Sequence, residues 1–138
     1  MQRRIRTIIL LLAVTLTCFS TGGGAQVGDN KPFVLVVYAD WCPYCQNLKP
    51  VLALMNERYR GRIRYVVFDV TSEASTAKSR EQARSLGLEK FFDQNYVTTS
   101  LVVIRSSSGR EVFRTVHDYD FHHYENALEQ QLAVKRSQ

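Results

Sequence analysis

Apolar residues fall along the chain in two patterns, short unbroken runs and repeats at three- and four-residue spacing. The run from Phe33 to Ala39 (Phe-Val-Leu-Val-Val-Tyr-Ala) predicts a central strand buried on both faces. Leu48, Leu52, Met55 and Tyr59 follow at helical spacing, which predicts a helix from Cys42 to about Tyr59, with Gly61 as its stop. Arg58, Arg60, Arg62 and Arg64 around that stop read as a solvated face. A second apolar run, Arg64 to Val70, predicts the next strand. Strand, helix and strand in that order form a βαβ unit with parallel strands.

Beyond Val70 the chain turns polar. Ser72 is placed to cap a helix rich in Ala, Lys, Arg and Glu that runs to Ser85, and Gly87 is placed to end it. Leu88 to Asn95 predicts a shorter helix that turns Leu88, Phe91 and Phe92 inward. Ser100 to Arg105 and Glu111 to Val116 read as a hairpin around Ser106-Ser107-Ser108-Gly109. A last helix, capped by Asp118 or Asp120, gathers Phe121, Tyr124, Leu128 and Leu132 on one face and ends in Lys135 and Arg136. The expected class is α/β, a central mixed β-sheet flanked by helices, in one domain.

The start of the chain follows neither pattern. Arg3, Arg4 and Arg6 precede an apolar run from Ile8 to Phe19, and Gly23-Gly24-Ala25 offers a small-residue cleavage site. That layout predicts a signal peptide over residues 1–25 and a mature domain over 26–138. The expected location is exported, periplasmic or extracellular. Two alternatives stay open, an uncleaved membrane anchor, for which the run is short, and a lipoprotein acylated at Cys18. Removing the segment changes the charge. The 138-residue chain carries a formal +5, the three arginines supply three of those charges, and the mature part keeps +2. The basic balance therefore gives no reason to expect a nucleic-acid partner. Tyr38 and Trp41 read as packing and rim residues.

The candidate chemistry sits where the first strand meets the first helix, at Trp41-Cys42-Pro43-Tyr44-Cys45. With Cys18 removed, Cys42 and Cys45 are the cysteines that remain. A Cys-x-x-Cys pair at such a junction is the arrangement of a thiol–disulfide redox site. Cys42 would start the helix, where free N–H groups and the dipole favour a thiolate, and Cys45 lies one turn on. Pro43 fits the first turn, where its missing N–H costs nothing. A zinc half-site and an inert structural disulfide are the plainer readings, and zinc would need two more ligands. His117, His122 and His123 near the last helix read as surface or capping residues, since neighbours on a helix point about 100° apart.

The stretch resembles the thioredoxin superfamily. Trp41 stands at the family's tryptophan position, and Pro50, five residues after the second Cys, stands where the family has a helix-kinking proline. Pro43-Tyr44 is like the inner pair of dithiol glutaredoxins. The resemblance implies a thioredoxin-like fold with an enlarged helical crossover before the third strand. It also implies an enzyme, a thiol–disulfide oxidoreductase of either electron direction. Cys42 and Cys45 would be catalytic, supported by Trp41, Pro43, Tyr44, Pro50, Thr98 and Thr99. No cofactor or metal is expected beyond the redox-active Cys42–Cys45 disulfide. The expected partners of this monomer are protein thiols or disulfides and a membrane-bound or exported reductant or oxidant.

The chain departs from the family pattern at two places. Val36 stands where many thioredoxins have a buried Asp, and Tyr65 aligns with its Lys partner, so the strand offers no general base and Asp40 is the nearest carboxylate. Thr99 stands at the family's cis-proline. A cis bond there would cost about 2.5–4 kcal/mol, so a trans Thr98–Thr99 peptide is expected, with the Thr99 hydroxyl near the sulfurs. Relatives without this proline include metal and iron–sulfur binders. A metal- or cluster-binding module and a redox-silent binding domain are therefore the competing functions.

Overall fold

The computed structural model describes residues 30–136, with side chains as far as Ala133. The signal-peptide segment 1–25, Cys18 and the side chains of Lys135 and Arg136 lie outside what is described. Eight elements follow in order: β1 (Phe33–Tyr38), α1 (Pro43–Arg58), β2 (Arg64–Asp69), α2 (Glu73–Ser85), α3 (Glu89–Asn95), β3 (Leu101–Arg105), β4 (Glu111–Val116) and α4 (Phe121–Arg136). They form a thioredoxin-like mixed sheet in the order β2-β1-β3-β4. β1 is parallel to β2 and antiparallel to β3, and β3 and β4 form the expected hairpin.

Period-two alternation on the sheet sends the two faces of β1 into different cores. Val34 and Val36 pack with Leu48, Met55, Tyr124 and Leu128 of α1 and α4. Leu35 and Val37 pack with Phe68, Phe91 and Phe92 on the other side, where α2 and α3 lie. The enlarged crossover thus supplies the second face of the core. Ser72 and Ser75 start it with a reciprocal capping box, each side-chain oxygen accepting from the other's backbone N–H at 3.1 and 2.9 Å. Gly87, at φ 70°, ends α2 in a Schellman turn: the Leu88 N–H donates to the Ala83 carbonyl at 2.7 Å and the Gly87 N–H to that of Arg84 at 3.1 Å. That corner turns α3 back onto Phe68, which meets Phe92 edge-on at 5.3 Å.

Register corrects one expectation. The residue opposite Val36 on β2 is Val67, and Tyr65 lies opposite Val34. Val67, not Tyr65, therefore occupies the place of the family's lysine. A slip of two residues keeps a side chain on the same face, so the apolar pattern cannot detect it. The position is apolar in either register.

Candidate active site

The end of β1 and the start of α1 place the two cysteines. Cys42 is the N-cap of α1, and its sulfur accepts the Cys45 N–H at 3.3 Å. Its carbonyl accepts from the N–H groups of Cys45 and Gln46 at 3.1 and 3.2 Å. Pro43 opens the helix, and Pro50 lies inside it, where its ring removes one N–H from the ladder. Both cysteines are free thiols. They pack in a small cluster with Ala39, flanked by Tyr38 and Val70.

A position at the start of the helix leads one to expect Cys42 at an exposed edge, and the structure differs. Cys42 and Cys45 are 2% and 1% exposed. Trp41 is turned outward, 63% exposed, and its indole N–H donates to the Thr71 carbonyl at 3.1 Å. The Asp40 N–H donates to the Thr71 hydroxyl at 2.9 Å, so the β2–α2 loop draws the Asp40-Trp41 pair away from the sulfurs. Tyr44, between the two cysteines in sequence, is half exposed, and its ring stacks on His117 at 3.9 Å and 16°.

The two sulfurs are held in opposite states. Burial is the largest influence on the Cys42 thiol and pushes it up. Hydrogen bonds from the Cys45 thiol, the Thr99 hydroxyl and the backbone at Cys45 and Tyr44 outweigh it and hold Cys42 below the ordinary thiol range. Burial, with the hydrogen bond and charge of Cys42, pushes Cys45 up to about 11, and backbone hydrogen bonds at Ala39 and Ser100 only partly offset this. The described chain contains no cis peptide, so the Thr98–Thr99 bond is trans, and the Thr99 hydroxyl is among the groups that lower the Cys42 thiol. Thr98 contributes only backbone: it is exposed, and its N–H closes the turn after α3 on the Asn95 carbonyl at 2.9 Å.

Asp40 is engaged away from the sulfurs. Its carboxylate accepts from the Tyr38 hydroxyl at 2.5 Å, and Gln46 donates to that hydroxyl and to the Asp40 carbonyl at 3.2 and 2.8 Å. His122 and His123 pair with Glu125 and Asp118 at 3.2 and 2.9 Å, as surface residues do. Among the described residues, no three His, Cys, Asp or Glu side chains converge as a metal site. Sequence reading missed His117 and Ser100. The available signal was topological: β4 runs beside β3, so the residue after β4 returns to the level of the cysteines.

Comparison with known proteins agrees with this geometry. The thioredoxin family model matches residues 23–86. A chloroplastic thioredoxin-like protein of Oryza sativa is 34% identical over 44 residues, covering 32% of this chain and 17% of that protein. Thioredoxin C-2 of Corynebacterium nephridii is 41% identical over 54 residues, 38% of this chain and 50% of its own length. The chain thus spans half or less of these curated relatives. Among solved structures, a thiol:disulfide interchange protein of Chlorobium tepidum superposes with a TM-score of 0.54 at 13% identity, over 77% of this chain and 83% of that one. A thioredoxin-like protein of Edwardsiella tarda gives 0.51 at 19%, over 73% and 84%. The matched family segment, the shared fold and a close Cys-x-x-Cys pair at the β1–α1 junction together mark a thioredoxin-like redox protein.

Proposed function

We propose that the protein is an exported thiol–disulfide oxidoreductase that exchanges disulfides with other proteins through Cys42 and Cys45. The observation that carries this reading is the opposite poise of the two thiols, Cys42 held below its ordinary pKa and Cys45 pushed to about 11. A nucleophile needs the thiolate, and a resolving thiol stays protonated until the mixed disulfide has formed. The Cys42 thiolate attacks a partner disulfide, Cys45 then attacks the Cys42 sulfur, and the partner leaves reduced. Run backwards, the same steps oxidise a dithiol partner. The direction follows from the potential of the pair against that of its reductant or oxidant.

Export rests on the layout of residues 1–25, a basic start, an apolar run and small residues before Gln26. N-terminal sequencing of the exported protein should begin at Gln26; a chain in the membrane still carrying Met1 contradicts cleavage, and a lipid-modified N-terminus at Cys18 contradicts this site in favour of a lipoprotein. The exchange reading is tested by trapping. Cys45→Ser should accumulate mixed disulfides at Cys42, and Cys42→Ser should not. Equal trapping by both variants, or by neither, refutes the assignment. Metal content after anaerobic purification distinguishes it from a metal- or cluster-binding module.

A further inference from the structure

Two residues with side chains hold a left-handed backbone beside the cysteines, Ser100 at φ 61° and His117 at φ 60°. Residues with a Cβ avoid this conformation, and it persists only where the surroundings enforce it. The two are tied together. The His117 N–H donates to the Ser100 carbonyl at 3.3 Å, and the Ser100 N–H donates to the Val37 carbonyl at 2.9 Å. The His117 ring, stacked on Tyr44, fixes the same loop to the Cys-x-x-Cys turn.

This arrangement buries Ser100 to 1% exposure and leaves its hydroxyl with no hydrogen-bond partner. A buried hydroxyl with nothing to bond destabilises a fold, so one kept in a strained backbone points to a use. Its position suggests which. β1 and β3 pair Val37 with Leu101, which sets Ser100 level with Tyr38 and next to Ala39, the residue packed against both cysteines. The Ser100 backbone N–H lies near enough to the Cys45 sulfur to favour its ionisation. A neutral thiol is a weak acceptor and a thiolate a strong one, so a donor here bonds only when Cys45 ionises. With Val36 and Val67 facing each other on β1 and β2, no carboxylate stands at that position to help.

We propose that the Ser100 hydroxyl is a catalytic hydrogen-bond donor that turns onto the Cys45 sulfur as it becomes a thiolate in the resolving step. The inference rests on the disulfide-exchange reading above. In that step the Cys45 S–H bond breaks and its proton passes to solvent. The Cys45 electron pair forms the bond to the Cys42 sulfur, and the bond from Cys42 to the partner sulfur breaks. The partner leaves as a thiolate and takes a proton from solvent. Over the full exchange the two cysteines lose two electrons and the partner disulfide gains them. Ser100 keeps its proton throughout and stabilises charge that exists only in this step.

Stopped-flow reaction of the reduced chain with dithionitrobenzoate, in a Cys18→Ala background, separates the two steps. The first thionitrobenzoate reports attack by Cys42 and the second reports resolution by Cys45. Ser100→Ala should leave the first phase unchanged within about twofold and slow the second roughly tenfold at each pH below the Cys45 pKa, the scale of one hydrogen bond to a charge. Ser100→Gly, which accepts φ 61° without strain, should do the same and melt no lower than the parent. An unchanged second phase in both variants overturns the proposal, and so does equal slowing of both phases, which marks a structural role. A parent chain that releases no second thionitrobenzoate refutes the exchange reading itself.

Discussion

Removing the Thr99 hydroxyl tests how the site ionises Cys42. Thr99→Val keeps the side-chain shape and deletes one donor to the sulfur. A hydrogen bond to a charged group contributes about 1.5–3 kcal/mol when nothing replaces it. Thr99 is only half-buried, so water recovers part of that, and about 1 kcal/mol remains as the net loss. At 1.36 kcal/mol per tenfold, that is about a fivefold smaller thiolate fraction at pH values well below the Cys42 pKa. The donors from Cys45 and Tyr44 remain, so Cys42 stays the more acidic thiol. The assay is the pH dependence of iodoacetamide alkylation of the reduced chain, with Cys42 and Cys45 peptides resolved by mass spectrometry. The expected result is a Cys42 rate about fivefold lower at pH values well below the Cys42 pKa, converging on the parent rate above it. An unchanged profile would remove Thr99 from the site, and a faster one would mean that the hydroxyl opposes the thiolate.

Three further outcomes follow from the geometry. Cys45, raised to about 11, binds its proton more tightly in the folded chain than in the unfolded chain. Its contribution is therefore complete below the unfolded thiol value and is lost as pH rises towards 11. Cys42, depressed, adds stability as pH rises from its folded pKa to the unfolded one. The melting temperature of reduced minus oxidised protein should rise and then fall across that range, and a flat difference contradicts both assignments. Gly87→Ala should destabilise by about 1–2 kcal/mol in urea denaturation, because a new Cβ meets nothing within 4 Å and the cost is the left-handed φ alone. A neutral result would mean that the α2–α3 corner relaxes. Phe92→Ala, at a fully buried site, should cost about 3–5 kcal/mol, and a loss under 1 kcal/mol would show that the crossover helices do not share the core.

Much of the fold was legible because its signals are local. The β1 and β2 runs, the periodicity of α1 and the Ser72 and Gly87 punctuation each lie within one element and match the structure closely. Cys42 and Cys45 were legible for the same reason, since a strand, a turn and one helical residue fix both. What stayed hidden depends on distance in sequence. Nothing near Tyr44 announces His117, which reaches it only because β4 returns beside β3. Ser100 reads as an ordinary strand residue, and its left-handed turn comes from bonds to Val37 and His117 on separate segments. Trp41 reads from sequence as a packing and rim residue, and nothing near it shows that its indole N–H is claimed by Thr71, thirty residues on. The Tyr65 register failed because a two-residue slip leaves the periodicity unchanged.

The central claim is that Cys42 and Cys45 form a reversible redox pair. Equilibrating the protein in graded thiol–disulfide buffers, quenching with an alkylating agent and weighing the product measures this directly. The account predicts one two-electron transition linking Cys42 to Cys45, with a midpoint in the range of about −270 to −120 mV spanned by thiol–disulfide oxidoreductases. Two thiols that never join under oxidising buffers, or a disulfide that resists reduction below about −300 mV as structural bridges do, would contradict it.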